Sequence, residues 1–120
     1  MGRLQNKVVV ITGAARGQGE AEARLFTGQG GNVVLTDVLD DTGEAIAADI
    51  GATYIHLDVC DEAAWRTVTA SVIKQYGRID VLVNNAGIFL SASLLETTKA
   101  DYQRVIDVNQ VGVFLGMKTI

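Results

Sequence analysis

Short apolar runs alternate along the chain with longer stretches in which apolar residues recur every three or four positions. The short runs predict four β-strands, at Lys7–Thr12, Asn32–Asp37, Ala52–Asp58 and Ile79–Asn84. The first, second and fourth are nearly continuous in Val, Ile and Leu, which is typical of parallel strands covered by helices on both faces. The pattern therefore favours a parallel sheet.

The longer stretches predict helices at Gly17–Gly28, at Asp41–Ile50, from the N-cap Asp61 to Tyr76, and from Thr98 onward. The side chains of Asp61 and Thr98 suit N-caps, and Gly77 suits the end of the third helix. Strands that alternate with helices predict right-handed crossovers in an α/β fold, here a Rossmann-type doubly wound parallel sheet. Ligands of such sheets bind beyond the carboxyl ends of the strands.

Composition fits one ordinary globular domain over residues 1–120, with 48% hydrophobic and 20% charged residues and no proline or linker-like stretch. The net charge of −4 and the absence of a Lys/Arg run argue against nucleic acid or an anionic membrane as a partner. No apolar stretch approaches the roughly 18 residues of a membrane span. The single cysteine, Cys60, predicts a reducing, cytoplasmic location, and no His/Cys cluster predicts a metal site.

The first predicted strand is followed directly by glycines in the spacing Gly-x-x-x-Gly-x-Gly, at Gly13, Gly17 and Gly19. Glycines let the chain turn sharply and bring its backbone close to a ligand. The helix that begins here offers unpaired N–H groups to a pyrophosphate. The alternative is a turn that only packs the helix on the strand. A P-loop is excluded because no Gly-Lys-Ser/Thr sequence follows.

Asp37 ends the second predicted strand, where a carboxylate can accept hydrogen bonds from both hydroxyls of an adenosine ribose. The same charge would repel a 2′-phosphate, so Asp37 favours NAD over NADP. Arg16, in the glycine-rich segment, is either a solvated arginine or a partial neutraliser of a phosphate. Because no basic residue follows Asp37 at Val38 or Leu39, we give Asp37 more weight and predict NAD as the cofactor.

Three further positions each allow two interpretations. Asp58 either receives a hydrogen bond from an adenine amino group, with Val59 against the ring, or bonds to local backbone while Val59 lies in the core. The segment Asn84–Gly87 is either a tight turn beside a flat ligand or an ordinary Asn-Gly-type turn. Asn109, a polar residue on an otherwise packed helix face, is either a core amide or a group that fixes a side chain or water at the site.

Together these motifs resemble the short-chain dehydrogenase/reductase family, especially its NAD-dependent hydroxysteroid dehydrogenase and 3-oxoacyl-reductase-like members. The resemblance extends from Lys7 to Ile120. It implies a set of residues that hold the dinucleotide, namely Gly13, Arg16, Gly17, Gln18, Gly19, Asp37, Asp58, Val59, Asn85, Ala86 and Gly87. It also implies that Asn109 belongs to the catalytic machinery, where it supports a lysine through water.

One departure from the family is large. Its chemistry uses a serine and a Tyr-x-x-x-Lys pair, in which the tyrosine acts as general acid/base. None of Tyr54, Tyr76 and Tyr102 is followed by lysine four positions later. We therefore expect the N-terminal portion of a longer oxidoreductase that transfers hydride between NAD(H) and a small-molecule secondary alcohol or ketone. By itself this portion is expected to be inactive.

Two alternatives stay open. A non-catalytic dinucleotide-binding or partner-binding module would leave the apolar strand around Val81–Val83 as an open edge that a partner must cover. A related epimerase or dehydratase would also retain a dinucleotide, although the glycine spacing of such enzymes usually differs from that of Gly13, Gly17 and Gly19. The family resemblance further implies a homodimer or homotetramer, and the small residues Gly112 and Gly116 suggest close helix packing between subunits.

Overall fold

The computed structural model describes residues 2–120, in which four strands form one parallel sheet of order β3-β2-β1-β4. The strands are β1 (Val8–Thr12), β2 (Asn32–Asp37), β3 (Thr53–His56) and β4 (Val81–Val83). Because β2 lies on one side of β1 and β4 on the other, the strand order reverses at β1. The crevice for a ligand in such a sheet lies at this reversal. The predicted fold class is confirmed.

Helices follow the strands as the periodicity predicts. They are α1 (Gly17–Gly28), α2 (Asp40–Ile50), α3 (Glu62–Tyr76), α4 (Lys99–Ile106) and α5 (Gly112–Thr119), with a π-helical turn at Asp107–Val111 between the last two. The predicted caps are confirmed: Asp61 accepts a hydrogen bond from the N–H of Ala64 at 3.0 Å, and Thr98 accepts one from Asp101 at 3.1 Å. None of the helices within residues 2–120 is long and apolar enough to cross a membrane.

The strands β3 and β4 are shorter at both ends than the apolar runs predict. The side chain of Asp58 accepts a hydrogen bond from the N–H of Cys60 at 3.0 Å, which turns the chain soon after β3. Before β4, the side chain of Asp80 accepts a hydrogen bond from the N–H of Val8 at 2.8 Å. Hydrogen bonds from side chain to backbone thus replace the regular ladder at these ends.

Apolar clusters lie on the two faces of the sheet. One joins α3 and α5 to the sheet, and its members include Val10, Val34, Trp65, Val72 and Leu115. The other joins α1 and α2 to the opposite face, and its members include Ile11, Ala23, Leu35 and Ile46. All five residues of β1 are buried. Burial of each Val, Leu or Ile side chain contributes about 1.5–3 kcal/mol, so this central strand anchors the loops that follow it.

Gly112 and Gly116 are buried within the chain, and the prediction that they pack against another subunit is wrong. A Cβ atom on Gly112 would lie 2.7 Å from Cγ2 of Val59, and one on Gly116 would lie 2.8 Å from Cη2 of Trp65. The Trp65 indole N–H also donates to the carbonyl of Val59 at 2.9 Å. The two glycines therefore let α5 approach α3 and the segment after β3.

Candidate functional site

A cleft of about 520 Å³ opens beyond the carboxyl ends of the strands. This volume lies within the ~300–1,000 Å³ that is typical of small-molecule sites. Most of the predicted cofactor-binding residues line it, namely Gly13, Arg16, Gly17, Asp37, Asp58, Val59, Asn85, Ala86 and Gly87. Gln18 and Gly19 are the two that do not. The fold thus brings together residues from the ends of all four strands.

The three glycines of the first loop meet different requirements. Gly13 has a φ of 63°, and a Cβ there would lie 2.8 Å from the Cα of Ala86. Gly17 has a φ of 58° with open space where a Cβ would be. Gly19 is buried, and a Cβ there would overlap the carbonyl oxygen of Gly13. Gly19 therefore lets α1 start against the loop, whereas Gly13 and Gly17 shape the cleft.

The N-terminus of α1 borders the cleft without a capping side chain. Arg16 occupies the N-cap position in extended conformation, and its side chain makes no cap hydrogen bond. The first N–H groups of a helix have no partner within the helix and carry its positive dipole end. The side chain of Gln18, which does not line the cleft, donates to Glu22 at 3.0 Å. This end of α1 suits an anion such as a phosphate.

Backbone N–H groups hold the carboxylate of Asp37 from two sides. Its Oδ2 accepts a hydrogen bond from Ala15, in the glycine loop, at 3.0 Å. Its Oδ1 accepts from Val38 at 2.7 Å and from Leu39 at 3.2 Å. No basic side chain within residues 2–120 forms an ion pair with it, although the exposed Arg16 lines the same cleft. The cleft therefore contains an oriented negative charge.

Asp58 and Val59 make the local contacts of one interpretation and also line the cleft, where the other interpretation places the adenine. One carboxylate oxygen of Asp58 bonds to the local backbone, yet the residue is exposed and lines the cleft. Val59 is only 8% exposed and belongs to the core, but it also borders the cleft. Burial, with a smaller contribution from Asp58, raises the pKa of the neighbouring Cys60 thiol to about 11. This thiol is therefore protonated at neutral pH and is a poor nucleophile.

The side chain of Asn85 binds the glycine loop. Its Nδ2 donates to the carbonyls of Thr12 at 3.0 Å and Gly13 at 3.2 Å. The Thr12 hydroxyl oxygen accepts hydrogen bonds from the N–H groups of Asn85 at 3.0 Å and Ala86 at 2.9 Å. Asn85 thus fixes the turn on which Ala86 and Gly87 face the cleft. The sequence places Thr12 directly before the glycine-rich segment but assigns it no role in the site, and the structure shows that its hydroxyl joins that segment to Asn85 and Ala86.

Asn109 is exposed and lies in the π-helical turn, so it is not a core amide. Its Nδ2 donates to the carbonyl of Ile88 and its Oδ1 accepts from the N–H of Ile88, both at 2.8 Å. Ile88 lines the cleft, so Asn109 holds a residue of the cleft wall through these two bonds. Single π-helical turns within α-helices occur frequently at functional sites.

Other residues line the cleft that sequence reasoning did not assign to the ligand, namely Val38, Leu39, Leu57, Cys60, Ile88, Arg104 and Val108. Arg104 and Val108 are four residues apart, so a helix predicted over this segment already places them on the same face. Within residues 2–120, no group of three or more His, Cys, Asp or Glu side chains is arranged to hold a metal ion. The cleft therefore combines an uncapped helix end that suits an anion, a fixed carboxylate and apolar walls.

The fold and the cleft define an α/β protein of the Rossmann class. Residues 7–120 match the family model of the short chain dehydrogenases, and the chain belongs to this family. It is 44% identical over 118 residues to a mitochondrial borneol dehydrogenase from Lavandula x intermedia, a match that covers 97% of this chain and 46% of the relative. It is 40% identical over 121 residues to a 3-alpha-(or 20-beta)-hydroxysteroid dehydrogenase from Mycobacterium bovis, a match that covers 99% of this chain and 46% of that relative.

A solved structure resembles the fold closely. It is the crystal structure of a short-chain dehydrogenase/reductase, described as a glucose/ribitol dehydrogenase, from Brucella melitensis. The TM-score is 0.94 at 35% sequence identity, and the match covers 99% of this chain and 51% of that chain. The chain thus spans about half the length of the curated relatives that it matches. These comparisons confirm the family resemblance.

Proposed function

We propose that the chain binds NAD(H) and supplies the coenzyme site of an oxidoreductase that acts on a secondary alcohol or ketone. One observation carries this proposal: an uncapped helix end and a fixed carboxylate, that of Asp37, border the same cleft. The helix end would hold the pyrophosphate through the N–H groups that follow Arg16. Asp37 would accept hydrogen bonds from the adenosine ribose.

The residues present fit a dinucleotide on further grounds. At Gly17 the space that a Cβ would fill is open, which leaves room for a phosphate beside the backbone. Asp58 and Val59 would border the adenine ring. Ala86 and Gly87 would lie along the nicotinamide side, held there by Asn85. When bound, the nicotinamide would supply the hydride chemistry, and these residues would bind and orient it.

The choice of NAD over NADP follows from the charge of Asp37. A 2′-phosphate on the ribose would approach a carboxylate that has no basic partner among the described side chains. Arg16 lines the same cleft but lies at the start of α1. We assign it to the pyrophosphate side, where it offsets phosphate charge without cancelling the repulsion at Asp37.

The names of the relatives support an alcohol or ketone as the substrate, since one is a borneol dehydrogenase and another a hydroxysteroid dehydrogenase. No Tyr-x-x-x-Lys pair occurs in the 120 residues. We therefore propose that these residues do not turn over substrate alone. Asn109 would contribute to catalysis by fixing Ile88 and, in a complete enzyme, by supporting the lysine through water. A cytoplasmic homodimer or homotetramer is part of the same proposal.

Calorimetric titration of the chain with NADH and, separately, with NADPH tests the coenzyme assignment. We expect one NADH site per chain and weaker binding of NADPH. The same sample, given NAD and a secondary alcohol, should produce no NADH above the background without protein. Absence of heat with both coenzymes would overturn the proposal, and turnover at an enzyme-like rate would refute the assignment of catalysis to groups outside these residues.

A further inference from the structure

A network of side chains surrounds the turn that carries Asp37 and includes no residue that lines the cleft except Asp37 itself. The hydroxyl of Tyr54, on β3, lies 2.7 Å from the backbone carbonyl oxygen of Asp37. The same hydroxyl lies 2.6 Å from Oδ1 of Asp40, the first residue of α2. Nδ1 of His56 lies 2.7 Å from that carboxylate oxygen as well. Tyr54 therefore reaches both ends of the turn from Asp37 to Asp40.

This turn determines where the Asp37 carboxylate points. Its Oδ1 accepts hydrogen bonds from the N–H groups of Val38 and Leu39. The orientation of the side chain therefore depends on the backbone conformation of the turn. No side chain caps the N-terminus of α2, where Leu39 is the N-cap residue. The contacts of Tyr54 with Asp37 and Asp40 instead join the end of β2 to the first turn of α2.

Tyr54 is itself well placed to act as a fixed donor. Its ring packs on α2 at Gly43, where a Cβ atom would overlap the ring. Burial and the hydrogen bond to Asp40 raise the pKa of the Tyr54 phenol well above its usual value, so the hydroxyl keeps its proton at physiological pH. Tyr54 and, secondarily, His56 hold the pKa of Asp40 below its usual value, so Asp40 remains a charged acceptor.

We propose that Tyr54 is a positioning residue for coenzyme binding: its hydroxyl holds the turn from Asp37 to Asp40 in the shape that presents the Asp37 carboxylate to the adenosine ribose. The inference rests on the proposed NAD site. It adds a residue that does not line the cleft and acts through Asp37. Without the hydroxyl, the turn samples other shapes, and the ordering needed to bind ribose lowers the affinity.

Tyr54→Phe keeps the ring on Gly43 and removes only the hydroxyl. Titration calorimetry with NADH should give an affinity about three- to tenfold lower than that of the wild type, the range expected for one hydrogen bond. Tyr76→Phe is the matched control, since its phenol bonds to Thr53 at 2.8 Å, on the same strand but away from Asp37. We expect it to leave NADH affinity unchanged. Circular dichroism of both variants checks that they are folded.

A double-mutant cycle with Asp37→Ala distinguishes a positioning role of Tyr54 from a general effect on stability. If Tyr54 acts through Asp37, adding Tyr54→Phe to Asp37→Ala should cause no further loss of NADH affinity. Additive losses, equal losses in the Tyr54→Phe and Tyr76→Phe variants, or wild-type affinity in Tyr54→Phe would each overturn the inference while leaving the NAD site intact. If wild-type protein does not bind NADH, or Asp37→Ala has no effect, the proposed ribose site is wrong and this inference falls with it.

Discussion

The N–H of Ala15 donates a hydrogen bond to the carboxylate of Asp37 at 3.0 Å and ties the glycine loop to the end of β2. One residue earlier in both the loop and β2, the N–H of Ala14 donates to the carbonyl of Thr36 at 3.1 Å. The loop that we propose for the phosphates and the carboxylate that we propose for the ribose are therefore joined by two hydrogen bonds. Such preorganisation raises affinity because less conformational freedom is lost when the ligand binds.

Asp37→Ala should change coenzyme preference, in addition to releasing the three backbone N–H groups that the carboxylate holds. We expect NADH affinity to fall about ten- to a hundredfold, because each hydrogen bond to a charged group contributes about 1.5–3 kcal/mol. NADPH affinity should rise at the same time, since the repulsion of its 2′-phosphate is removed. Calorimetric titration of both variants with both coenzymes measures the two changes.

Asp41→Ala is the charge-matched control, because Asp41 is an exposed carboxylate on α2 that does not line the cleft. It should leave the ratio of NADH to NADPH affinity close to that of the wild type. Equal NADH affinity in wild type and Asp37→Ala would mean that this carboxylate does not contact the ribose.

Gly13 and Gly17 share a positive φ but differ in the space around them, which makes Gly13→Ala and Gly17→Ala a matched pair. An L-residue in this conformation costs about 1–2 kcal/mol. At Gly13 the new Cβ would also press on the Cα of Ala86 at 2.8 Å, for a total of about 2–5 kcal/mol of lost unfolding free energy. At Gly17 the Cβ would enter open space and cost only the backbone strain.

Urea denaturation of the two variants measures this difference in unfolding free energy. Titration with NADH provides the second half of the comparison. We expect Gly17→Ala to lose coenzyme affinity despite its milder destabilisation, because its methyl group occupies space beside the uncapped helix end. Unchanged affinity in Gly17→Ala would remove this residue from the phosphate site.

The elements that sequence predicts well are those whose signal is local. The run Val8–Thr12 is apolar at nearly every position and is buried throughout. Asp61 and Thr98 stand directly before helices and cap them, as their side-chain chemistry requires. The glycine spacing likewise depends on conformation within one loop. Periodicity and capping were therefore sufficient for the order of elements, whereas most of the residues around the cleft were named by the family resemblance.

Contacts between distant residues could not be predicted in this way. Thr12 meets Asn85, and Asn109 meets Ile88, only because the sheet and the last helix bring them together. The residues before and after Asn109 follow ordinary helical periodicity, so nothing in the pattern distinguishes a π-helical turn from an α-helix. The packing partner predicted for Gly112 and Gly116 is wrong for the same reason. Small residues indicate that another segment approaches closely, but they do not identify that segment.

The stability of the fold should depend on pH through Asp80. Its carboxylate accepts the N–H of Val8 at 2.8 Å, and this bond, together with Arg78 at 3.0 Å, holds its pKa below the usual value. A group with a lowered pKa in the folded state stabilises the fold above its unfolded-state pKa of about 3.9. This contribution is lost as the pH falls through the lower folded-state pKa.

Asp80→Asn should therefore be less stable than the wild type at pH 7, and the gap should narrow in strong acid. Urea denaturation of both proteins at about pH 7 and about pH 2.5 gives the two differences in unfolding free energy, on either side of the unfolded-state pKa. The variant keeps a side-chain oxygen for Val8, so the change reports the charge. A gap of the same size at both pH values would contradict this role of Asp80.

The two hydrogen bonds between Asn109 and Ile88 should control the mobility of the segment after Gly87. Asn109→Ala removes both bonds at an exposed position, so it should cost little packing. Loss of one hydrogen bond amounts to about 0.5–1.5 kcal/mol, and the amide of Ile88 should exchange its hydrogen about tenfold faster or more.

Hydrogen exchange measured residue by residue by NMR tests this, with the amides of β1 as the internal reference because they report opening of the core. Asn109→Asp refines the comparison, since it keeps the acceptor for the N–H of Ile88 but replaces the donor to its carbonyl with a charge. We expect Ile88 to exchange faster than wild type in both variants, with β1 unchanged. Uniform acceleration across β1 and Ile88 would instead assign Asn109 to global stability and remove the link between the π-helical turn and the cleft wall.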